Sequence, residues 1–273
     1  MKQEDIPRGE AILKWLAVEV AMTRNHLAKL LPEAKGVKRP PLKITSMPKG
    51  HPLQRTREYA GTYSNTDKAL KALLRQKRVM VSNPQTKDGE VKNKNAPQLW
   101  FLPTKTKLCP VGFEKRRHEI CCVDFLCSLM EGIDFDTDRL NQWNHRWSED
   151  ELAAYPDPDK FYFDRKFVFD DELYFVEMDM GTKSVSAIRK QFQKYVDFSN
   201  RFHKIKFKVL IIARNTTESS DEARADWFLR LLPEYKRGDQ FLVTLYGAAI
   251  ANPYGQIWVS PADTSAPKAF YDF

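Results

Sequence analysis

The feature that most constrains this chain is the segment KFYFDRKFVFDDELYFVEMD, residues 160–179. Aromatic and polar residues alternate from Lys160 to Val168, an Asp170-Asp171 pair interrupts, and alternation resumes from Leu173 to Met178. Alternation at a period of two is the mark of a strand with two different faces, and two such runs about a short polar turn predict an antiparallel hairpin. Glu177 and Asp179 stand two apart near the end of the second strand, so they project together. Asp159 stands at the start of the first, and the hairpin returns the pair towards it. The surrounding YFVEMDM reads as a central strand, where burying two carboxylates without a cation is costly.

Three carboxylates converging at a sheet end make a hard oxygen site, suited to Mg²⁺ or Mn²⁺. Such an ion lowers the pKa of bound water and stabilises charge on a scissile phosphate. Asp157, Asp170 and Asp171 read instead as turn residues. Lys183, Arg189, Lys190 and Lys194 follow closely. A lysine here orients the nucleophilic water or neutralises the transition-state phosphate. Lys183 is nearest in sequence, and Lys190 lies one to two helical turns into the next helix, within reach of the acids.

The pattern around the hairpin is α/β (α+β). A long helix, 114–130, precedes it, followed by an acidic, Trp-rich stretch of irregular elements at 134–155. After it come a helix at 184–202 with Ile188, Phe192, Tyr195 and Val196 on one face, a buried strand KVLIIA at 208–213, a helix at 221–232, and strands at 241–246 and 256–259.

Upstream, two short helices fit between Ile12 and Leu31, with Thr23 as cap of the second and Pro32 as its stop. Residues 35–59 form a basic loop rich in proline. A helix over 66–76 sets Leu70, Leu73 and Leu74 against Lys68, Lys71, Arg75, Lys77 and Arg78. VMVS and QLWFLP then flank a polar turn that holds Asp88-Gly89, Lys92 and Lys94. Helix, helix, basic helix, hairpin is the order of a winged helix-turn-helix, which lays the basic helix in the major groove and the hairpin on the backbone. The expected division is a DNA-binding domain at 1–107, with a basic loop insertion at 35–62, and an acid-bearing domain at 108–273.

The net charge of +8 and isoelectric point near 9.2 favour a polyanionic partner. The excess is concentrated between Lys35 and Lys107, and the balance reverses between Asp134 and Asp179. Cys109, Cys121, Cys122 and Cys127 form no CxxC pair, and Cys121, Cys122 and Cys127, in an apolar helical run, read as buried reduced thiols of a reducing compartment. With no signal peptide and no apolar run of membrane-spanning length, a soluble bacterial cytoplasmic protein without membrane contact is expected.

Pro158-Asp159 followed by Glu177-Met178-Asp179 resembles the PD-(D/E)xK restriction-endonuclease-like superfamily, with Asp179 where that pattern carries its lysine. Lys190 is the expected replacement. The order of a winged helix, a helix opening with His118, PD, an alternating strand, ExDxGT, a helix with Lys190 and Tyr195, and Trp258 before Pro261 resembles the replication-relaxation family, which includes the MobC and TraX type plasmid relaxases. The resemblance implies a restriction-endonuclease-like domain with a mixed sheet flanked by helices, and Glu119 or Glu114 completing the metal shell from the long helix. It also implies a relaxase-like endonuclease that nicks double-stranded DNA at an origin-type site of a mobile element, with mobilisation or replication proteins as further partners. The five histidines form no HxH or HxxxH cluster, unlike the tyrosine-nucleophile relaxases. The alternative reading is a non-catalytic DNA-binding replication or mobilisation factor with a degenerate nuclease fold.

Overall fold

The structure, a computed structural model, describes residues 8–19, 21–31, 60–82, 98–105, 113–133, 139–145, 147, 161–215, 220–235 and 238–273. The chain divides into two compact units, Met1–Cys127 and Ser128–Phe273. None of the described helices is long and apolar enough to cross a membrane.

The N-terminal unit runs α1 (Arg8–Val18), β1 (Met22–Thr23), α2 (Arg24–Leu30), α3 (Ala60–Arg75), β2 (Met80–Ser82), β3 (Leu99–Phe101), then most of α4 (Phe113–Gly132). The three strands form an antiparallel sheet in the order β1-β3-β2. Thr23 caps α2: its hydroxyl accepts from His26 N at 3.2 Å, and His26 Nδ1 accepts from Thr23 N at 3.3 Å. With Nδ1 accepting, Nε2 carries the ring proton and donates to Asp124 at 3.0 Å, inside the unit. Two buried cations are likewise satisfied. Lys105 donates to the carbonyls of Ala17 and Glu19, each at 2.7 Å, and Arg116 donates to Ser82 Oγ and O at 2.9 and 3.0 Å. Ile12, Leu16, Leu27, Leu30, Leu70 and Leu73 are buried among the apolar side chains. Helix α3 starts earlier than the 66–76 read from sequence, and Leu74 faces outward, 38% exposed. Residues 35–59 of the basic loop, together with Lys92, Lys94 and Cys109, lie outside the described residues.

The C-terminal unit is built on a seven-stranded mixed sheet, β10-β9-β8-β7-β6-β5-β4. Strands β4 (Leu140–Asn144), β5 (Arg165–Phe169) and β6 (Glu172–Asp179) form an antiparallel meander. Helix α5 (Val185–Arg201) leads to β7 (Phe207–Ala213), and α6 (Asp221–Leu231) to β8 (Phe241–Leu245), with β6, β7 and β8 mutually parallel. Helix α7 (Tyr246–Ala251) and antiparallel strands β9 (Trp258–Ser260) and β10 (Asp263–Lys268) complete it.

On one face, Phe175, Val209, Ile211, Phe241 and Val243 pack against the stripes Ile188, Phe192, Tyr195 of α5 and Ala225, Phe228, Leu231 of α6. Because side chains alternate along a strand, Glu177 and Asp179 share the face of Phe175 and so lie beneath these helices. The opposite face carries its own aromatic cluster, with Tyr174 centred 5.2 Å from Phe167 and 5.0 Å from Phe270.

The hairpin turns at Asp170 and Asp171, with φ of 46° and 67°; two successive positive φ values match the right-handed twist of the strands on either side. Strand β5 starts at Arg165 rather than Lys160, and β4 occupies part of the acidic stretch expected to be irregular. A register shift between Asn141 and Asn144, with Gln142 at φ 53°, breaks the alternation that would have marked β4 as a strand.

Candidate functional site

Parallel strands in an open α/β sheet leave a crevice at their carboxyl ends. Here β6 ends in Glu177 and Asp179, only 5% and 4% exposed. The two acids are held by different partners.

Glu177 Oε1 accepts from Tyr195 Oη at 2.5 Å and from Gln191 Nε2 at 2.9 Å. Gln191 and Tyr195 are four apart on α5, which brings both side chains to one face of the helix. Oε2 lies 3.5 Å from Lys183 Nζ. Burial pushes the Glu177 carboxyl up to about 7, the charge of Asp164 adds to this, and Lys183, Tyr195 and Gln191 act against it. Around Lys183 desolvation opposes the charge, but Asp164, Glu177 and Asp179 outweigh it and hold the ammonium above its usual range. The Tyr195 hydroxyl is raised well above its usual value, first by burial and then by Glu177. It is the donor in its hydrogen bond to Glu177.

Asp164 is the acid that the hairpin brings to this pair. Register pairs Arg165 with Val176, so the preceding residue, Asp164, comes opposite Glu177. Its Oδ2 accepts from Met178 N at 2.8 Å.

Asp179 is gripped by Arg224, whose Nε and Nη2 donate at 2.6 and 3.1 Å to the two carboxylate oxygens. The Arg224 guanidinium also lies 4.5 Å from the Trp227 ring centre and 5.0 Å from that of Phe228. Gly181 N adds a bond to Asp179 Oδ2 at 3.2 Å. That turn requires glycine: φ is +72°, and a Cβ would come 2.8 Å from Asn215 Oδ1. Glu177, Asp179, Lys183, Gln191, Phe192 and Phe228 line one pocket.

The residues singled out in the sequence are thus distributed unevenly. Glu177, Asp179 and Lys183 come together. Lys190 is exposed on α5 and makes no ion pair among the described residues, and Arg189 pairs with Glu234 at 2.7 Å. Asp159 lies outside the described residues. Glu119 belongs to the N-terminal unit, 3.9 Å from His118 Nδ1, and Glu114 is exposed at the start of α4. Asp164, Gln191 and Arg224 are site residues that the sequence reading passed over, and Tyr195 was named there only on the apolar face of its helix and in the family order, without a site role. Among the described residues no three His, Cys, Asp or Glu side chains are gathered as a metal-holding group.

In the N-terminal unit, Lys68, Lys71, Arg75, Lys77 and Arg78 are all exposed on α3 and the turn after it. Lys71 pairs with Asp67 at 2.7 Å and Arg78 with Glu10 at 2.8 Å. Lys68, Arg75 and Lys77 make no ion pair among the described residues.

Comparison with curated proteins yields no significant match, and neither does comparison with solved structures. The family model described as replication-relaxation matches residues 50–209, more than half of the chain, spanning α3 to the start of β7 and with them Asp164, Glu177, Asp179 and Lys183. The chain belongs to the replication-relaxation family.

Proposed function

We propose that this chain is a metal-dependent DNA endonuclease of a mobile element, relaxase-like, which nicks duplex DNA at an origin-type site in the bacterial cytoplasm. The observation that carries the reading is the meeting of Asp164, Glu177 and Lys183 at the carboxyl end of a central strand, with Lys183 Nζ 3.5 Å from Glu177 Oε2. Two acids and one retained cation are the residue types that phosphodiester cleavage needs, and PD-(D/E)xK-like chemistry arises from such a set. Asp164 takes the part that the sequence reading gave to Asp159, and Lys183 that of the lysine.

Carboxylate oxygens are hard donors that fit Mg²⁺ or Mn²⁺, and Asp164 and Glu177 are the residues that would hold the ion. When bound, such an ion supplies a more acidic water and charge stabilisation at the phosphate. Tyr195 and Gln191 fix the Glu177 carboxylate through Oε1 and leave Oε2 towards Lys183. Lys183, still an ammonium, is placed to neutralise charge on a phosphate oxygen. Asp179 is held by Arg224 and serves to orient that arginine and the loop behind it.

The N-terminal unit we read as a winged helix. Support comes from the order α1-β1-α2-α3-β2-β3, the sheet order β1-β3-β2, and the exposed basic residues of α3. Changing Lys68, Arg75 and Lys77 together to glutamine will weaken binding to any duplex. It will also lower the slope of log affinity against log salt by about 0.9 for each phosphate no longer neutralised. Anisotropy titrations at several salt concentrations measure this, and an unchanged slope removes α3 from the DNA interface.

The test of the whole reading is cleavage of a supercoiled plasmid that carries the element's own origin region. The expected product with Mg²⁺ or Mn²⁺ is the open circle, lost on adding EDTA. Linear product identifies a two-strand endonuclease instead. Binding of that DNA without cleavage in either metal overturns the enzymatic reading in favour of a non-catalytic replication or mobilisation factor.

A further inference from the structure

We infer that Tyr162, with Lys190 and Lys194 beside it, is a stacking platform for an unpaired nucleobase next to the acidic site. This deepens the DNA-cleaving reading and rests on it. The segment before Asp164 alternates in burial: Phe161 and Phe163 are 8% exposed and Tyr162 is 67% exposed. The two phenylalanines are anchored in the aromatic core. Phe161 stacks on Phe198 with centroids 4.8 Å apart, and Phe163 meets Trp147 edge-on at 5.3 Å. Tyr162 is thus an outward ring on a backbone fixed from both sides, more exposed than Leu74, Met80, Val185 or Tyr271.

The same backbone is tied to the site. Gln191 Nε2 donates to the Tyr162 carbonyl as well as to Glu177 Oε1. Lys194 Nζ lies 5.3 Å from the Tyr162 ring centre, and Lys190, four residues before it on α5, is its neighbour on the helix surface.

The chemistry of the patch selects its occupant. A ring beside one lysine, with a second a helical turn away, offers a π-face with countercharge for phosphate, the combination that binds single strands. Bases inside a duplex are stacked on each other and offer no free face. A protein partner that buries Tyr162 would need apolar neighbours, whereas among the described residues the contacts of Tyr162 outside the aromatic core are Lys194 at its ring and Gln191 at its carbonyl. A base that takes the ring face frees Lys194 to reach an adjacent phosphate. The platform therefore holds a locally opened strand in the register of Asp164, two residues along.

The full chain in EDTA tests this, since no cleavage is then involved. Anisotropy compares a short labelled oligothymidine with an abasic strand of equal length, for the natural protein, Tyr162→Ala and Tyr162→Phe. The natural protein is expected to prefer the base-bearing strand by about tenfold. Tyr162→Phe keeps that preference and Tyr162→Ala loses it, with binding of the abasic strand equal in all three. No preference in the natural protein, survival of the preference in Tyr162→Ala, or its loss in Tyr162→Phe overturns the proposal; the last would assign the role to the hydroxyl. Nicking and base preference are separate readouts. A chain that shows the preference but never nicks loses the endonuclease reading and keeps the platform, and one that nicks without the preference loses only the platform.

Discussion

Arg224→Ala will destabilise the C-terminal unit by about 3–5 kcal/mol, the range for breaking a buried ion pair from one side. Asp179 is 4% exposed, and Arg224 binds both of its carboxylate oxygens. Without the guanidinium the acid keeps only the Gly181 N–H, and the nearest lysine, Lys183, is already engaged with Glu177. The variant also loses the packing of the guanidinium on Trp227 and Phe228. Arg224→Lys will be intermediate, because a lysine keeps the charge but not the planar fork. Adding Asp179→Asn to Arg224→Ala will recover a large part of the loss, since the cost lies in the orphaned charge and not in a missing attraction. Urea unfolding followed by tryptophan fluorescence measures all four chains. An Arg224→Ala midpoint equal to that of the natural protein would mean that another cation reaches Asp179. A double variant no better than Arg224→Ala would place the loss in packing rather than charge.

How much of this was readable beforehand depends on the range of each interaction. Glu177 and Asp179 share a face because they are two apart on a strand, which needs only the period of the chain. Asp164 was also within reach. Counting outward from the Asp170-Asp171 turn pairs Phe169 with Glu172 and ends with Asp164 opposite Glu177, but the Pro158-Asp159 motif draws the eye upstream of the paired strand. That Lys190 faces away from Glu177 follows from helix phase. Ile188, Phe192 and Tyr195 take the inward stripe of α5, which leaves Lys190 outside. Arg224 had no local signal. It lies 45 positions from Asp179 on a separate helix, and only the parallel β6-β7-β8 order brings the two together. In the N-terminal unit the helix order was legible, whereas β1, two residues long, is too short to leave any alternation.

Glu177→Gln will reduce nicking by about two to three orders of magnitude, the scale for removing one preorganised electrostatic group from an active site. The change is nearly isosteric. The amide oxygen still accepts from Tyr195 and Gln191, so what is lost is the charge facing Lys183. Lys183→Met will cut nicking by a comparable factor, and the double variant will be little worse than either single one if the pair acts as a unit. Stability should move the other way, which separates chemistry from folding. Burial, then Asp164, raises Glu177 from 4.5 to about 7 in the folded chain. Between those values the folded state holds a proton that the unfolded state has released. The stabilisation is therefore complete below 4.5 and is lost as pH rises through about 7. In metal-free buffer the natural protein will lose stability over that window, Glu177→Gln will not, and the variant will gain on its parent as pH rises. A difference between the two chains that stays constant across the window would mean that Glu177 is ionised throughout and fully compensated by Lys183. Nicking that survives in Glu177→Gln would remove the acid from the chemistry whatever its titration. A variant that is more stable above neutral pH and inactive would show that the buried acid is kept at a cost to the fold and for the sake of the reaction.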